Sequence, residues 1–329
     1  MAPSSDSLTL GFVMDPPEIM DVDADTTFAL ALEAQSRGHR LLYLPPEDLG
    51  VDDGRVTAVA RTLTLRRARG DHFTLGEPTQ VFLDEAADAV LQREDPPVDA
   101  AYVIATQILS LCRRCQVLNR PAGILAANEK LYALHFSDLM AETRVTREIP
   151  KLIDFMAKMG GHMIVKPLDG RGGEGIFHVT NTDRNLFSIL EQSTAFGTRW
   201  VMAQRYLEGI RESGDKRILL LEGEPLGALA RVPAADEVRA NLHVGGSAVR
   251  AEIDEDDRRI IERLRPWLAA DGLFFVGIDV IGGKLTEVNV TSPTGIQEMA
   301  RFDGVAYEAS VIDALEARVA AGPASVPGA

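Results

Sequence analysis

Cysteine is nearly absent, with two in 329 residues, so no disulfide framework can hold the fold and its core must. Aromatic residues make up 6% of the chain, and no apolar run approaches the roughly 20 residues that a membrane-spanning helix needs. Basic residues are the minority charge. Against 34 Lys and Arg stand 49 Asp and Glu, for a formal net charge of −15. That field excludes nucleic acid and anionic membrane as partners held by bulk electrostatics. The first basic residue is Arg37, so the opening segment lacks the charged start of a secretory signal, and a cytoplasmic location is the expectation. What the chain does have is 46% hydrophobic and 25% charged residues, the balance of a folded globular protein. Its length suits two or three domains.

Residues 1–7 and 320–329 are small, polar or Pro/Gly-rich and read as frayed tails. Leu8-Thr-Leu-Gly-Phe-Val-Met14 reads as a buried strand closed by Asp15-Pro16-Pro17, because proline cannot donate to a ladder. Apolar residues at helical spacing follow from Asp25 to Arg37, with Asp25 or Thr26 as cap and Gly38 as stop, and Leu41–Leu44 is the next strand. Such a strand–helix–strand unit builds a parallel sheet. The pattern returns with a strand at Ala87–Leu91, a second corner at Asp95-Pro96-Pro97, a helix over Tyr102–Arg114 and a strand at Gln116–Asn119. Ligands of open α/β sheets bind beyond the carboxyl ends of the strands, where both Asp-Pro-Pro corners fall. From residue 160 onward short strands dominate: His162–Lys166, Ile176–Val179, Trp200–Gln204, Lys216–Leu221, Leu273–Ile281 and Lys284–Thr291. Helices interrupt them near Asn185–Ser193 and Glu255–Leu268.

Three groups of residues carry chemistry. In Lys166-Pro-Leu-Asp-Gly170-Arg-Gly172-Gly173-Glu-Gly175 the glycines match G-x-G-x-x-G, but a β-rich run follows where a dinucleotide site needs a helix. The loop therefore joins two strands. It can lay backbone N–H groups over phosphates as a flap, with Lys166 reaching them as a point charge. In Phe274-Phe-Val-Gly-Ile-Asp279 and the following Glu287-Val-Asn289, Glu287 and Asn289 share one face of a strand. A two-residue Gly282-Gly283 turn alone puts Asp279 on the opposite face, so bringing Asp279 across from Glu287 requires an odd-length loop or a bulge. Oxygen donors converging inside an apolar hairpin suit a hard cation such as Mg²⁺. Lys130, Arg217, Arg231 and Arg239 form the cationic group, expected at the same cleft. Cys112-Arg-Arg-Cys115 closes a helix instead of opening one and lacks a second pair for zinc, so it reads as structural.

Taken together, Asn128-Glu129-Lys130, the Lys166 glycine loop, Gln204-x-Tyr206-Leu207, Gly214-Asp215-Lys216-Arg217 and Asp279…Glu287-x-Asn289-Val-Thr-Ser-Pro-Thr294 resemble the ATP-grasp ligases. Val13-Met-Asp-Pro16, the Arg93-Glu-Asp-Pro-Pro corner and Arg239-Ala-Asn-Leu-x-x-Gly-Gly246 narrow the resemblance to the bacterial glutathione synthetase family, over about residues 8–319. The fold class this implies is an N-terminal parallel α/β (pre-ATP-grasp) domain followed by a two-part α+β ATP-grasp fold. The divisions are a substrate domain at 1–122, ATP-grasp subdomains at 123–200 and 201–319 with a lid at 232–246, and a tail at 320–329.

The resemblance implies ligation of γ-glutamylcysteine to glycine through an acyl phosphate, giving glutathione, ADP and phosphate. It further implies ATP and one or two Mg²⁺, with Mn²⁺ as substitute, and a homo-oligomer, tetramer before dimer. Lys130, Lys166, Gly170, Gly172, Gly173, Gly175, Gln204, Tyr206 and Leu207 would bind ATP; Asp279, Glu287 and Asn289 the metal; Asp15, Arg93, Ser292, Pro293 and Thr294 the peptide substrates. Arg217, Arg231, Arg239 and Asn241 would serve catalysis. Two readings stay open beside it: another ATP-grasp carboxylate–amine ligase, and a non-catalytic nucleotide-binding regulatory protein.

Overall fold

A computed structural model describes residues 7–170, 172–234, 240 and 246–322. Three sheets organise it. The first has the parallel strands Arg40–Leu44, Thr9–Val13, Ala89–Gln92 and Gln116–Leu118 side by side in that order. Helix Thr26–Ser36 crosses between the first two, opened by Asp25, whose carboxylate accepts the Phe28 amide. The helix read over Tyr102–Arg114 spans Ala100–Leu109 instead. The Asp84 carboxylate accepts the amides of Arg113, Arg114 and Cys115 and folds that stretch into a turn. A further antiparallel strand, Arg55–Leu65, lies outside Arg40–Leu44 and carries the short strands Gly50–Asp52, Phe73–Leu75 and Thr79–Phe82. This meander forms no part of the sequence reading.

The second sheet is antiparallel, in the order Phe177–Thr180, His162–Pro167, Val201–Gln204, Thr143–Thr146. Helices Ile149–Lys158 and Leu186–Ser193 cover it, packing Leu152, Phe155, Leu186 and Leu190 onto Met163, Val165 and Val201. The third, also antiparallel, runs Ser247–Arg250, Glu224–Val232, Asp215–Leu221, Phe275–Ile281, Lys284–Asn289. Alternation along these strands divides two jobs. Ile218, Leu220, Val276 and Ile278 face helix Glu255–Asp271 and pack on its Ile260, Ile261, Leu264 and Leu268. Their neighbours Arg217 and Asp279 necessarily face the other way. That other face borders a cleft of about 880 Å³, lined by residues of the second and third sheets and by the segments just beyond the carboxyl ends of the first sheet's strands.

Candidate functional site

The cleft is built on one polar face of the third sheet. Asp215 stands opposite Arg231, Arg217 opposite Asp279, and Asp279 opposite Glu287. Residues directly across antiparallel strands share a face, and Asp215 and Arg217 share one by the two-residue period, so the five form a single polar row. Asp279 reaches Glu287 because the ladder shifts register between Asp279 and Val280. Thr286 is the extra residue, and its hydroxyl donates to the Asp279 carbonyl at 3.1 Å. Of the two devices the spacing allowed, an odd-length loop or a bulge, this is the bulge. Gly277, beside Asp279, makes room for the row: a Cβ there would lie 3.2 Å from Arg217 Cδ and 3.0 Å from Pro293 Cβ.

The charges interlock. Arg217 grips Asp279 with Nε and with Nη2, the latter at 3.0 Å, and Arg231 Nη2 meets Asp279 Oδ2 at 2.9 Å and Asp215 Oδ2 at 2.5 Å. Glu287 Oε1 receives Lys166 Nζ at 3.3 Å and lies 3.8 Å from Lys130 Nζ, which also pairs with Glu129 and donates to the Gly170 carbonyl at 3.1 Å. Burial pushes the Asp279 carboxyl upward, but Arg217 and Arg231 outweigh it and hold the group well below the usual carboxylate range. Lys130 and Lys166 do the same for Glu287. Asp215 goes the other way, pushed up to about 6 chiefly by burial, with Arg231 opposing. The Arg231 Nε and Asp215 Oδ1 atoms are buried without a partner. Buried polar atoms without partners are costly, so these two are the groups a polar ligand would satisfy.

The glycine loop closes this row from the second sheet. Strand His162–Pro167 runs into it and Phe177–Thr180 returns antiparallel, as the residues after Gly175 indicated. Gly172, Gly173 and Gly175 adopt φ of 59°, 86° and 69°, the left-handed region that side chains disfavour. A Cβ on Gly170 would approach Pro167 Cγ to 2.5 Å. Next to Lys166, Gln204, Tyr206 and Leu207 line an apolar slot with Ile164, Ile176, Ile210 and Ile281. At the far end both Asp-Pro-Pro corners meet, the Asp95 amide donating to Asp15 Oδ2 at 2.8 Å. Buried Arg93 donates to Thr27 Oγ1 and to the Pro293 carbonyl, each at 3.0 Å, and Ser292 Oγ donates to Asp95 at 2.6 Å.

Of the residues singled out from sequence, Lys130, Lys166, Gly170, Gly172, Gly173, Gln204, Tyr206, Leu207, Arg217, Arg231, Asp279, Glu287, Asn289, Asp15, Arg93, Ser292, Pro293 and Thr294 all line this cleft. Gly175 is set back against the Pro167 ring. Arg239 and Asn241, with most of the 232–246 lid, lie outside the described residues. Glu129 and Asp215 belong to the site yet carried no role in the sequence reading. The register Asp215↔Arg231 could have found Asp215, since it sits two residues before Arg217. Cys112 and Cys115 stand apart at the end of the first sheet, and the Cys115 thiol is raised first by its hydrogen bond with Cys112 and then by burial. It is no reactive thiolate.

Asp279, Glu287 and Asn289 offer hard oxygen donors to a divalent cation. Among the described residues, no group of three His, Cys, Asp or Glu side chains forms a self-sufficient cage. A partial set of protein oxygens completed by phosphate and water is the pattern that suits Mg²⁺, so the residues present fit it.

A glycine flap and a lysine-bearing antiparallel sheet facing a carboxylate-bearing one across a nucleotide-sized cleft define an ATP-grasp ligase. Solved structures with this fold agree. D-cycloserine synthetase DcsG superposes with a TM-score of 0.66 at 18% identity, covering 94% of this chain and 99% of that one. The ATP-grasp ligase PsnB gives 0.61 at 16%, covering 95% and 99%. Sequence relatives define the branch. The model of the prokaryotic glutathione synthetase N-terminal domain matches residues 8–124, and that of the prokaryotic glutathione synthetase ATP-grasp domain matches 129–304. Glutathione synthetase of Gloeobacter violaceus is 49% identical, covering 92% of this chain and 94% of that protein. The Brucella melitensis enzyme is 44% identical over 95% and 99%. The chain belongs to the prokaryotic glutathione synthetase family.

Proposed function

We propose that this ATP-dependent ligase joins γ-glutamylcysteine to glycine, consuming ATP and releasing glutathione, ADP and phosphate. The observation that carries the reading is the convergence of Lys130, Lys166, Arg217 and Arg231 on Asp279 and Glu287 beneath the glycine loop. In an acidic chain, these four buried cations gathered around one pair of carboxylates are a site for a polyanion. A carboxylate is a poor acyl donor, so the donor's cysteinyl carboxylate attacks the γ-phosphoryl group of ATP and becomes an acyl phosphate. The amine of glycine then displaces phosphate and forms the amide. Such a transfer asks the protein mainly for positioning and charge neutralisation.

Each residue has a duty in that sequence. Lys130 and Lys166 hold the α- and β-phosphates under Gly170–Gly173, and the isoleucine-lined slot beside Gln204–Leu207 takes adenine. Arg217 and Arg231 face the transferring phosphoryl, where Arg231 Nε finds the partner it lacks. Asp279, Glu287 and Asn289 would hold Mg²⁺, which when bound neutralises charge on the β- and γ-oxygens. Asp15, Arg93 and Ser292–Thr294 receive the peptide, and the 232–246 lid with Arg239 and Asn241 keeps water from the intermediate. The enzyme works as a homo-oligomer, with its substrate domain at 1–122 and ATP-grasp subdomains at 123–200 and 201–319. Purified protein tests this with Mg-ATP, γ-glutamylcysteine and glycine. ADP release should fall to background when any one is omitted, whereas release indifferent to glycine contradicts the reading.

A further inference from the structure

Helix Ile296–Asp303 begins at Gly295, directly after the Ser292–Thr294 segment, and packs its first turn against the loop at residues 21–25. Ile296 and Met299 enter the core, which leaves Gln297 and Glu298 buried beside the cleft. Gln297 is paired through both amide atoms, its Nε2 donating to the Asp25 carbonyl at 2.7 Å and its Oε1 accepting from Arg67 at 2.9 Å. Glu298 is not. Its side chain is only 10% exposed, it lines the cleft, and its Oε2 is buried without a partner. Among the described residues its one ion pair is with the half-exposed Arg301, at 3.4 Å. Burial raises its carboxyl, Asp21 adds to the rise, and a backbone amide and Arg301 only partly oppose it.

The other carboxylates that line the cleft at this end are already engaged, Asp21 by accepting the Asp23 amide. Asp25 caps helix Thr26–Ser36 through the Phe28 amide, Asp15 accepts the Asp95 amide, and Asp95 accepts the Ser292 hydroxyl. A buried carboxylate with a free oxygen and a weak cation asks for a cationic ligand group. Glu298 sits on a helix tied to the Asp23 and Asp25 carbonyls of the N-terminal part, with Asp21 and Arg301 as its charged neighbours. The reaction brings two ammonium groups, and glycine's must give up its proton to attack, so the one that stays a cation throughout is the α-ammonium of a γ-glutamyl donor. We infer that Glu298 pairs with the α-ammonium of the donor and so selects a γ-glutamyl group over its des-amino counterpart.

This inference rests on the ligase reading above, and one experiment separates the two. The full chain is assayed with Mg-ATP and glycine, using either γ-glutamylcysteine or N-glutarylcysteine, which lacks only the ammonium. The wild type should favour the γ-glutamyl donor in kcat/KM by on the order of 10²-fold, as for a buried charge pair with one partner removed. In Glu298→Gln that preference should collapse to within about threefold, through a higher KM for γ-glutamylcysteine, while the KM for ATP is unchanged. A purely structural role would lower activity with both donors and keep their ratio. Retained preference in Glu298→Gln, or no preference in the wild type, overturns the inference and leaves the ligase reading standing. Absence of wild-type turnover with γ-glutamylcysteine overturns both. If Glu298→Gln does not fold, Glu298→Asp decides instead: it should retain a preference at raised KM, and loss of all preference there counts against the inference.

Discussion

Glu94 follows the buried Arg93 at the carboxyl end of strand Ala89–Gln92, and its Oε2 has no partner although it is buried. Burial, reinforced by Asp15, Asp99 and Glu47, pushes this carboxyl up to about 7. A folded-state value above the unfolded one means the stability contribution is full at low pH and is lost as pH rises through about 7. Glu94→Gln removes that penalty. Melting temperatures of wild type and variant should therefore agree near pH 5, with the variant ahead by roughly 2 °C at pH 8, a small margin because the group is only half-buried. Equal melting temperatures at both pH values contradict the assignment. Residue identity alone could not show this: Glu94 reads as one more acidic residue in an acidic chain, and only its placement beneath the corner makes it unusual. The Lys and Arg residues of the cleft were legible for the opposite reason, because few cations stand out sharply against a net charge of −15.

At the scale of elements, the two hairpins of the site were legible from composition. Four glycines with a β-rich run behind them specify a strand–loop–strand flap, and the Gly282-Gly283 turn makes an odd-length loop or a bulge necessary if Asp279 is to face Glu287; the structure has the bulge, at Thr286. The strand Arg55–Leu65 was not read, and its burial shows why. Val56, Ala58 and Ala60 face inward on even positions, then Leu63 and Leu65 on odd ones. The alternation changes phase midway, because the strand pairs with Thr79–Phe82 along one half and with Arg40–Leu44 along the other. A period-2 pattern that breaks after a few residues is a weak strand signal. The flap makes its own prediction. In Gly170→Ala the new methyl meets the Pro167 ring and the Glu174 carbonyl, displacing the loop without touching a core residue. The KM for ATP should rise by about tenfold or more, since small misplacements of a positioning element are expensive, while the melting temperature stays put. An unchanged KM would remove the loop from phosphate binding.

Across the whole molecule, the site exists only because distant segments are pinned together. Asn119, at the end of the first sheet, donates to the carbonyls of Phe275 and Val290 and accepts the Phe275 amide, at 2.6–2.9 Å. Arg93 ties Thr27 to Pro293, and Gln297 ties the helix after the hairpin back to Asp25. These bonds join residues 66 to 272 positions apart, a range over which pattern and propensity in a single chain carry no signal. They set the Asp15–Arg93 end of the cleft against its Lys166–Glu287 end, which under the proposed function lets a peptide carboxylate and a γ-phosphate meet in one volume. Every role proposed for the cleft depends on activation of that carboxylate by phosphorylation, and an isotope can follow that transfer. γ-Glutamylcysteine carrying ¹⁸O in its cysteinyl carboxylate is turned over with Mg-ATP and glycine, and the inorganic phosphate is analysed. The account predicts one ¹⁸O per phosphate released, with glutathione formed in equal amount; phosphate free of label, or label retained wholly in the peptide, would contradict it.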